Sequence, residues 1–95
     1  MLVVGVAVLW LHHQVTTLAV EPVTPSVSLV QASGLDGNVA ILATPEGAVV
    51  VDTMTFRQQG SRIRERAERL AGAPVRAVVN THYHLDHSHG NPGFA

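Results

Sequence analysis

Four of the six histidines of this 95-residue chain fall within eight positions, from His82 to His89, directly after a strand-like run, Val75 to Val79. No other feature limits the fold as strongly, because α/β sheets carry their functional side chains at the carboxyl ends of strands. In Thr81-His82-Tyr83-His84-Leu85-Asp86-His87 the residues His82, His84 and Asp86 alternate. On an extended backbone all three side chains leave from one face, and Tyr83 and Leu85 point the other way as packing residues. His87 follows one residue later, where a bend would turn it to the same point. Three imidazoles and a carboxylate suit zinc or a similar divalent ion, with iron or manganese as further candidates. Cysteine is absent, so disulfides are excluded and any ion is held by nitrogen and oxygen. A purely structural zinc is disfavoured, since such sites favour cysteine. His89 lies just beyond the run and is expected to line the site or face solvent.

The lead-in to this run reads as an α/β unit. Val27, Leu29 and Gln31 alternate with Ser26, Ser28 and Val30, predicting a strand. Ala32 to Gly37 is a turn or short loop, Asn38 to Ala43 a second strand, and Thr44-Pro45-Glu46-Gly47 a type I turn. Ala48 to Val51 then returns as the second arm of a hairpin, ending at Asp52-Thr53. A helix is predicted from about Arg57 to Ala71, with Ile63, Ala67, Leu70 and Ala71 as its apolar stripe. Arg62, Glu65, Arg66 and Arg69 form its polar side, with Glu65 and Arg69 spaced for an ion pair. Gly60 weakens the N-terminal part of this helix. Gly72 and Pro74 stop it, and Val75–Asn80 is expected to join the sheet beside the hairpin.

The pattern H-x-H-x-D-H, with its strand before it and Gly90-Asn91 after it, resembles the signature of the metallo-β-lactamase fold family. Gly47-Ala48-Val49-Val50-Val51-Asp52-Thr53 likewise looks like that family's strand ending in an aspartate. The resemblance covers roughly Val23 to Phe94, the first half or less of a typical family domain. It implies an α/β fold, a partial αββα sandwich built from an N-terminal β-meander, one helix and a strand ending in the metal motif. It also implies a metal-dependent hydrolase in which metal-bound hydroxide attacks an ester, thioester, amide or phosphoester of a small-molecule substrate. His82 and His84 would serve a first Zn2+ position, and Asp86 and His87 a second, with Asp86 also the candidate catalytic residue. Asp52 would stand behind the loop and hold its shape, though it could instead cap the segment that follows it. Asn91, with Asn80, Thr81 and Gly90, would shape the loop. The family's later ligands have no counterpart before Ala95, so a truncated, non-catalytic piece that binds only metal or a partner is the alternative. An apolar sheet lacking its second layer would also self-associate.

Composition excludes little more. All six basic residues are arginine, five of them between Arg57 and Arg69 among glutamates, with a net charge of -1. That is a solvated helix face and not a nucleic-acid groove. The apolar fraction of 46% argues against disorder. Residues 1–20 form an apolar leader. Met1 to Leu11 is too short to span a bilayer and has the length of a signal-peptide core, with the small residues Thr17 and Ala19 of Thr17-Leu18-Ala19 spaced as in a cleavage site, but it lacks a basic start. A buried strand or an extension upstream of the fold would also fit. Cytoplasmic and exported locations both remain open.

Overall fold

A computed structural model describes residues 4–10, 17–32 and 36–95; His12, His13 and the middle of the expected 32–37 turn lie outside these described residues. Residues 4–10 form a helix, α1, whose side chains are exposed. The buried-strand reading therefore fails for them. No described helix is long and apolar enough to cross a membrane.

Four strands follow as an antiparallel meander: β1 (Leu18–Pro22), β2 (Val27–Ala32), β3 (Val39–Thr44) and β4 (Gly47–Val51). β1 ends on Glu21-Pro22, residue types that disfavour a central strand. Pro22 is tolerated there because β1 is an edge strand, whose outward N–H groups need no partner. Gly47 opens β4 with φ 129°, and a side chain there would run into the Pro74 carbonyl. Glycine is thus required at that turn for both conformation and space.

Helix α2 (Arg57–Ala71) crosses one face of the sheet, and β5 (Val75–Val79) returns parallel to β4, giving the order β1-β2-β3-β4-β5. Gly72 ends α2 in the left-handed region, φ 66°, where its N–H donates to the Glu68 carbonyl at 2.9 Å. Strand alternation sends Val30, Val39, Ile41, Ala48 and Val50 to the helix side. There they form a buried core with Met54, Ile63 and Ala67.

The stripe on α2 differs from the expected one. Ile63 and Ala67 are buried, but Leu70 is 44% exposed, and the fully buried partners one turn earlier are Gln59 and Gly60. The N-terminal part of the helix is covered by loops: Gly60 lies against Gly90, and Gln59 bonds to Asp36. Glu65 pairs with Arg62 at 3.3 Å and not with Arg69, while Arg64 pairs with Glu68 at 3.6 Å. The opposite face of the sheet carries no helix among the described residues. Its apolar side chains include Leu42, 36% exposed, and Val79, 49% exposed. The result is one helix layer on one sheet layer, half of an αββα sandwich.

Candidate metal centre

The sheet's parallel pair sets the site. β4 and β5 end side by side, with Val51 opposite Val79, so Asp52 and the loop 80–87 leave the sheet together. The Asp52 N–H still donates to the Val79 carbonyl at 2.8 Å. Beyond it the backbone turns sharply: Asp52 has φ 69° and Met54 φ 64°, both in the left-handed region. This turn points the Asp52 carboxylate back beneath the neighbouring loop.

That loop is not an extended strand. β5 stops at Val79, residues 81–83 bend, and Leu85–Ser88 forms a single helical turn, α3, which carries Asp86 and His87. Alternation therefore fails as a guide here. Tyr83 is 83% and Leu85 55% exposed, so neither is a packing residue. The donors are gathered by the bend and the turn instead. The His82 ring centroid lies 4.1 Å from that of His87 and 4.8 Å from that of His84. His89 is exposed.

Asp52 is 4% exposed and accepts three hydrogen bonds, each 2.8 Å, from the Thr81 N–H, the Thr81 hydroxyl and His87 Nδ1. It makes no bond to the start of α2, so the capping role is not the one adopted. Burial pushes its carboxyl pKa up, but the bonds from Thr81 and His87 and the attraction to His87 more than offset this and hold it below its ordinary value.

Proton bookkeeping along this chain fixes the ring tautomers. The single Thr81 hydroxyl proton goes to Asp52. The 2.8 Å contact between Thr81 Oγ1 and His82 Nδ1 therefore needs the proton of His82. Asp52, ionised, likewise takes the Nδ1 proton of His87. Neutral His82 and His87 are thereby left with Nε2 lone pairs directed away from their braces.

His87 Nε2 stands 3.4 Å from Asp86 Oδ2. A lone pair and a carboxylate at that distance need a proton or a cation between them. Two ligands of a tetrahedral ion with bonds of about 2.0–2.2 Å are separated by about 3.4 Å. On donor chemistry and on this spacing the residues fit a divalent ion. Across the described residues, no three His, Asp or Glu donors yet converge on one point; His82 and His84 are exposed on the loop.

A second network locks the loop from behind. The Thr53 hydroxyl donates to Asn91 Oδ1 at 2.8 Å, Asn91 and Asn80 exchange amide hydrogen bonds, and Asn80 Nδ2 reaches the His87 carbonyl at 3.1 Å. The Thr53 N–H also donates to that carbonyl at 3.0 Å. Thr53, fully buried, carries no mark in the sequence beyond its place after Asp52. Gln59 is also fully buried. Its Oε1 accepts the N–H groups of Thr55 and Phe56, and its Nε2 donates to Asp36. A glutamine three residues into a helix is an N-terminal capping signal that could have flagged it.

A parallel pair joined by a helix, with a histidine-rich turn at its carboxyl end braced by a buried aspartate, defines an α/β chain whose candidate metal donors stand at the carboxyl end of the sheet. Residues 32–95 match the family described as the Metallo-beta-lactamase superfamily, and the chain belongs to that superfamily. A linear primary-alkylsulfatase of Pseudomonas sp. (strain ATCC 19151) is 32% identical over 54 residues, 57% of this chain and 10% of the relative. A metallo-β-lactamase from Erythrobacter litoralis, solved with β-mercaptoethanol in its active site, superposes with a TM-score of 0.71 at 23% identity. The match covers 80% of this chain and 36% of that one. An NDM_FIM-1-like metallo-β-lactamase from the same organism, in its mono-zinc form, gives 0.67 at 24% identity, over 80% and 39%. The chain thus spans well under half the length of the relatives it matches.

Proposed function

We propose that this chain carries part of the metal site of a metal-dependent hydrolase acting on small-molecule esters, thioesters, amides or phosphoesters. The observation that carries the reading is the bracing of His87 by the buried Asp52, with Asp86 beside it on the turn after β5 and His82 and His84 in the bend that leads into that turn. His82 and His84 would hold a first ion, and Asp86 and His87 a second. Zinc is the first choice, supported by the mono-zinc form of one matched structure. Asn91 shapes the loop through Thr53 and Asn80. A bound divalent ion supplies Lewis acidity and lowers the pKa of water.

The chain's own residues do the rest. Asp52 keeps the His87 Nδ1 proton in place and leaves Nε2 as donor. The Thr81 hydroxyl relays the same constraint to His82. Asp86 presents its carboxylate 3.4 Å from His87 Nε2 and is the residue we assign both a ligand and a catalytic role. The alkylsulfatase match adds sulfate esters to the substrates worth testing.

The test is hydrolysis of a reporter ester, a β-lactam and a primary alkyl sulfate by the protein, with metal content measured by mass spectrometry. Turnover of one of them should require a divalent ion and should disappear with chelator. It should also fall at least 100-fold in His84→Ala. Turnover that persists in His84→Ala would show that the site lies elsewhere.

A further inference from the structure

The His87 ring has a second neighbour besides Asp52. Gly37 lies against the His87 imidazole. A Cβ on Gly37 would stand 2.5 Å from ring Cε1, 2.7 Å from Nε2 and 2.9 Å from Nδ1. Real Cβ atoms do not approach so closely, so the ring occupies the space a side chain would fill. Conformation is not the reason for glycine here. The described glycines with positive φ are Gly47 and Gly72, and Gly37 is not among them. What position 37 requires is the absence of a side chain.

The segment that carries Gly37 is tied down. Its neighbour Asp36 accepts the Thr55 hydroxyl at Oδ1, 2.6 Å, and Gln59 Nε2 at Oδ2, 2.8 Å. One carboxylate oxygen is thus bonded to Thr55, just ahead of the N-cap of α2, and the other to Gln59 in its first turn, which is itself fully buried. The wall at 36–38 can neither drift from the ring nor yield to it without breaking those bonds. The His87 ring is free to move only as far as its bond to Asp52 allows.

We propose that Asp36 and Gly37 are positioning residues for the metal site: Gly37 is the backing plate of the His87 imidazole, and Asp36 fastens that plate to α2. The pair fixes the direction of the His87 Nε2 lone pair. This inference rests on the reading of His87 as a metal ligand.

The experiment is titration of the metal-free protein with Zn2+ alone by calorimetry, with Co2+ absorption as a second readout. Wild type, Gly37→Ala, Asp36→Asn and His87→Ala are compared, and far-UV circular dichroism reports the fold. Outer-shell partners of ligating histidines are worth about 10–100-fold in metal affinity. Gly37→Ala should weaken the ion held by His87 at least tenfold and alter the Co2+ spectrum, with the dichroism unchanged. Asp36→Asn, which adds no bulk but puts an amide against the Gln59 amide, should weaken it in the same direction. Unchanged affinity and spectrum in a folded Gly37→Ala, alongside a loss in His87→Ala, overturns the inference and leaves the metal reading intact. If Gly37→Ala does not fold, wild-type affinity in Asp36→Asn overturns it equally. Unchanged binding in His87→Ala removes the metal reading itself, and this inference with it.

Discussion

Asp52 concentrates the chemistry of a single residue. It is buried, carries a negative charge, sits in a left-handed conformation and satisfies three donors. Hydrogen bonds to a charged group are worth about 1.5–3 kcal/mol, so Asp52→Asn, which preserves shape but not charge, should cost about 2 kcal/mol at neutral pH. The pH dependence follows from the sign of its shift. The folded value lies below the ordinary 3.8, so the stabilisation is fully present above the unfolded value and is lost as pH falls through the depressed folded value. Chemical denaturation of the metal-free protein should show the gap between wild type and Asp52→Asn at pH 7. The gap should narrow progressively once pH falls below about 4, the unfolded value. A gap of equal size at pH 3 would mean that the carboxylate charge is not its source. At this scale the sequence is legible where the chemistry is local. His82, His84, Asp86 and His87 are near neighbours, and their spacing alone draws attention. Asp36, Gly37, Thr53 and Gln59 are not legible in the same way. The side-chain bonds that tie them together span 19 to 38 residues, a meeting that no periodic pattern encodes, and only the local capping bonds of Gln59 to Thr55 and Phe56 leave a signal in the sequence.

Among the elements, α2 and β5 run from Arg57 to Ala71 and from Val75 to Val79, the ranges that apolar spacing and the Gly72–Pro74 stop predict. What spacing does not reveal is which turn of α2 faces inward most tightly. Gly60 looks like a helix weakness, yet it is buried, and a side chain there would strike the Gly90 carbonyl. Gly90 in turn presses on the Thr53 carbonyl with no room for a Cβ. Two glycines let three backbone segments stack: the exit of β4, the turn after the metal motif and the first turns of α2. Helix propensity alone favours Gly60→Ala by about 1 kcal/mol. Overpacking against fixed backbone costs about 1–3 kcal/mol, so the substitution should destabilise and lower the melting temperature. Arg66→Ala, on the exposed face of the same helix, should stay within about 0.5 kcal/mol of wild type. A rise in stability for Gly60→Ala would show that the Gly90 carbonyl can give way to a side chain at position 60. The β1 strand was illegible for a different reason. Pro22 and Glu21 argue against a central strand, and only its place at the sheet edge makes them acceptable.

For the whole molecule the dominant asymmetry is between the two faces of the sheet. One is sealed by α2 and the loop after β5. The other presents Leu42, Val49, Val51 and Val79 without a helix over them among the described residues. A continuous apolar surface of this kind drives association in water. Light scattering of the purified chain should therefore report particles larger than a monomer. Leu42→Lys, in the middle of that face, should lower the apparent mass while changing stability by less than about 1 kcal/mol. An apparent mass that ignores Leu42→Lys would place the contact elsewhere. The division into a helix-covered and an uncovered face was legible from strand alternation and the single strong helix. The fit to half of a sandwich follows from that count of layers.

The bonds that brace the histidine turn also dictate an order of events during synthesis. Thr81 and His87 reach Asp52 across 29 and 35 residues, and Asn91 reaches Thr53 across 38. The meander, by contrast, is made of neighbouring strands that can pair as they leave the ribosome. Contacts close in sequence form before distant ones, since each long loop must be closed at an entropic cost. A growing chain therefore passes through a stage that is already a sheet and still chemically plain. The histidine turn is thus the last part of the fold to be braced, since its bonds to Asp52 and Thr53 wait for residues as late as Asn91.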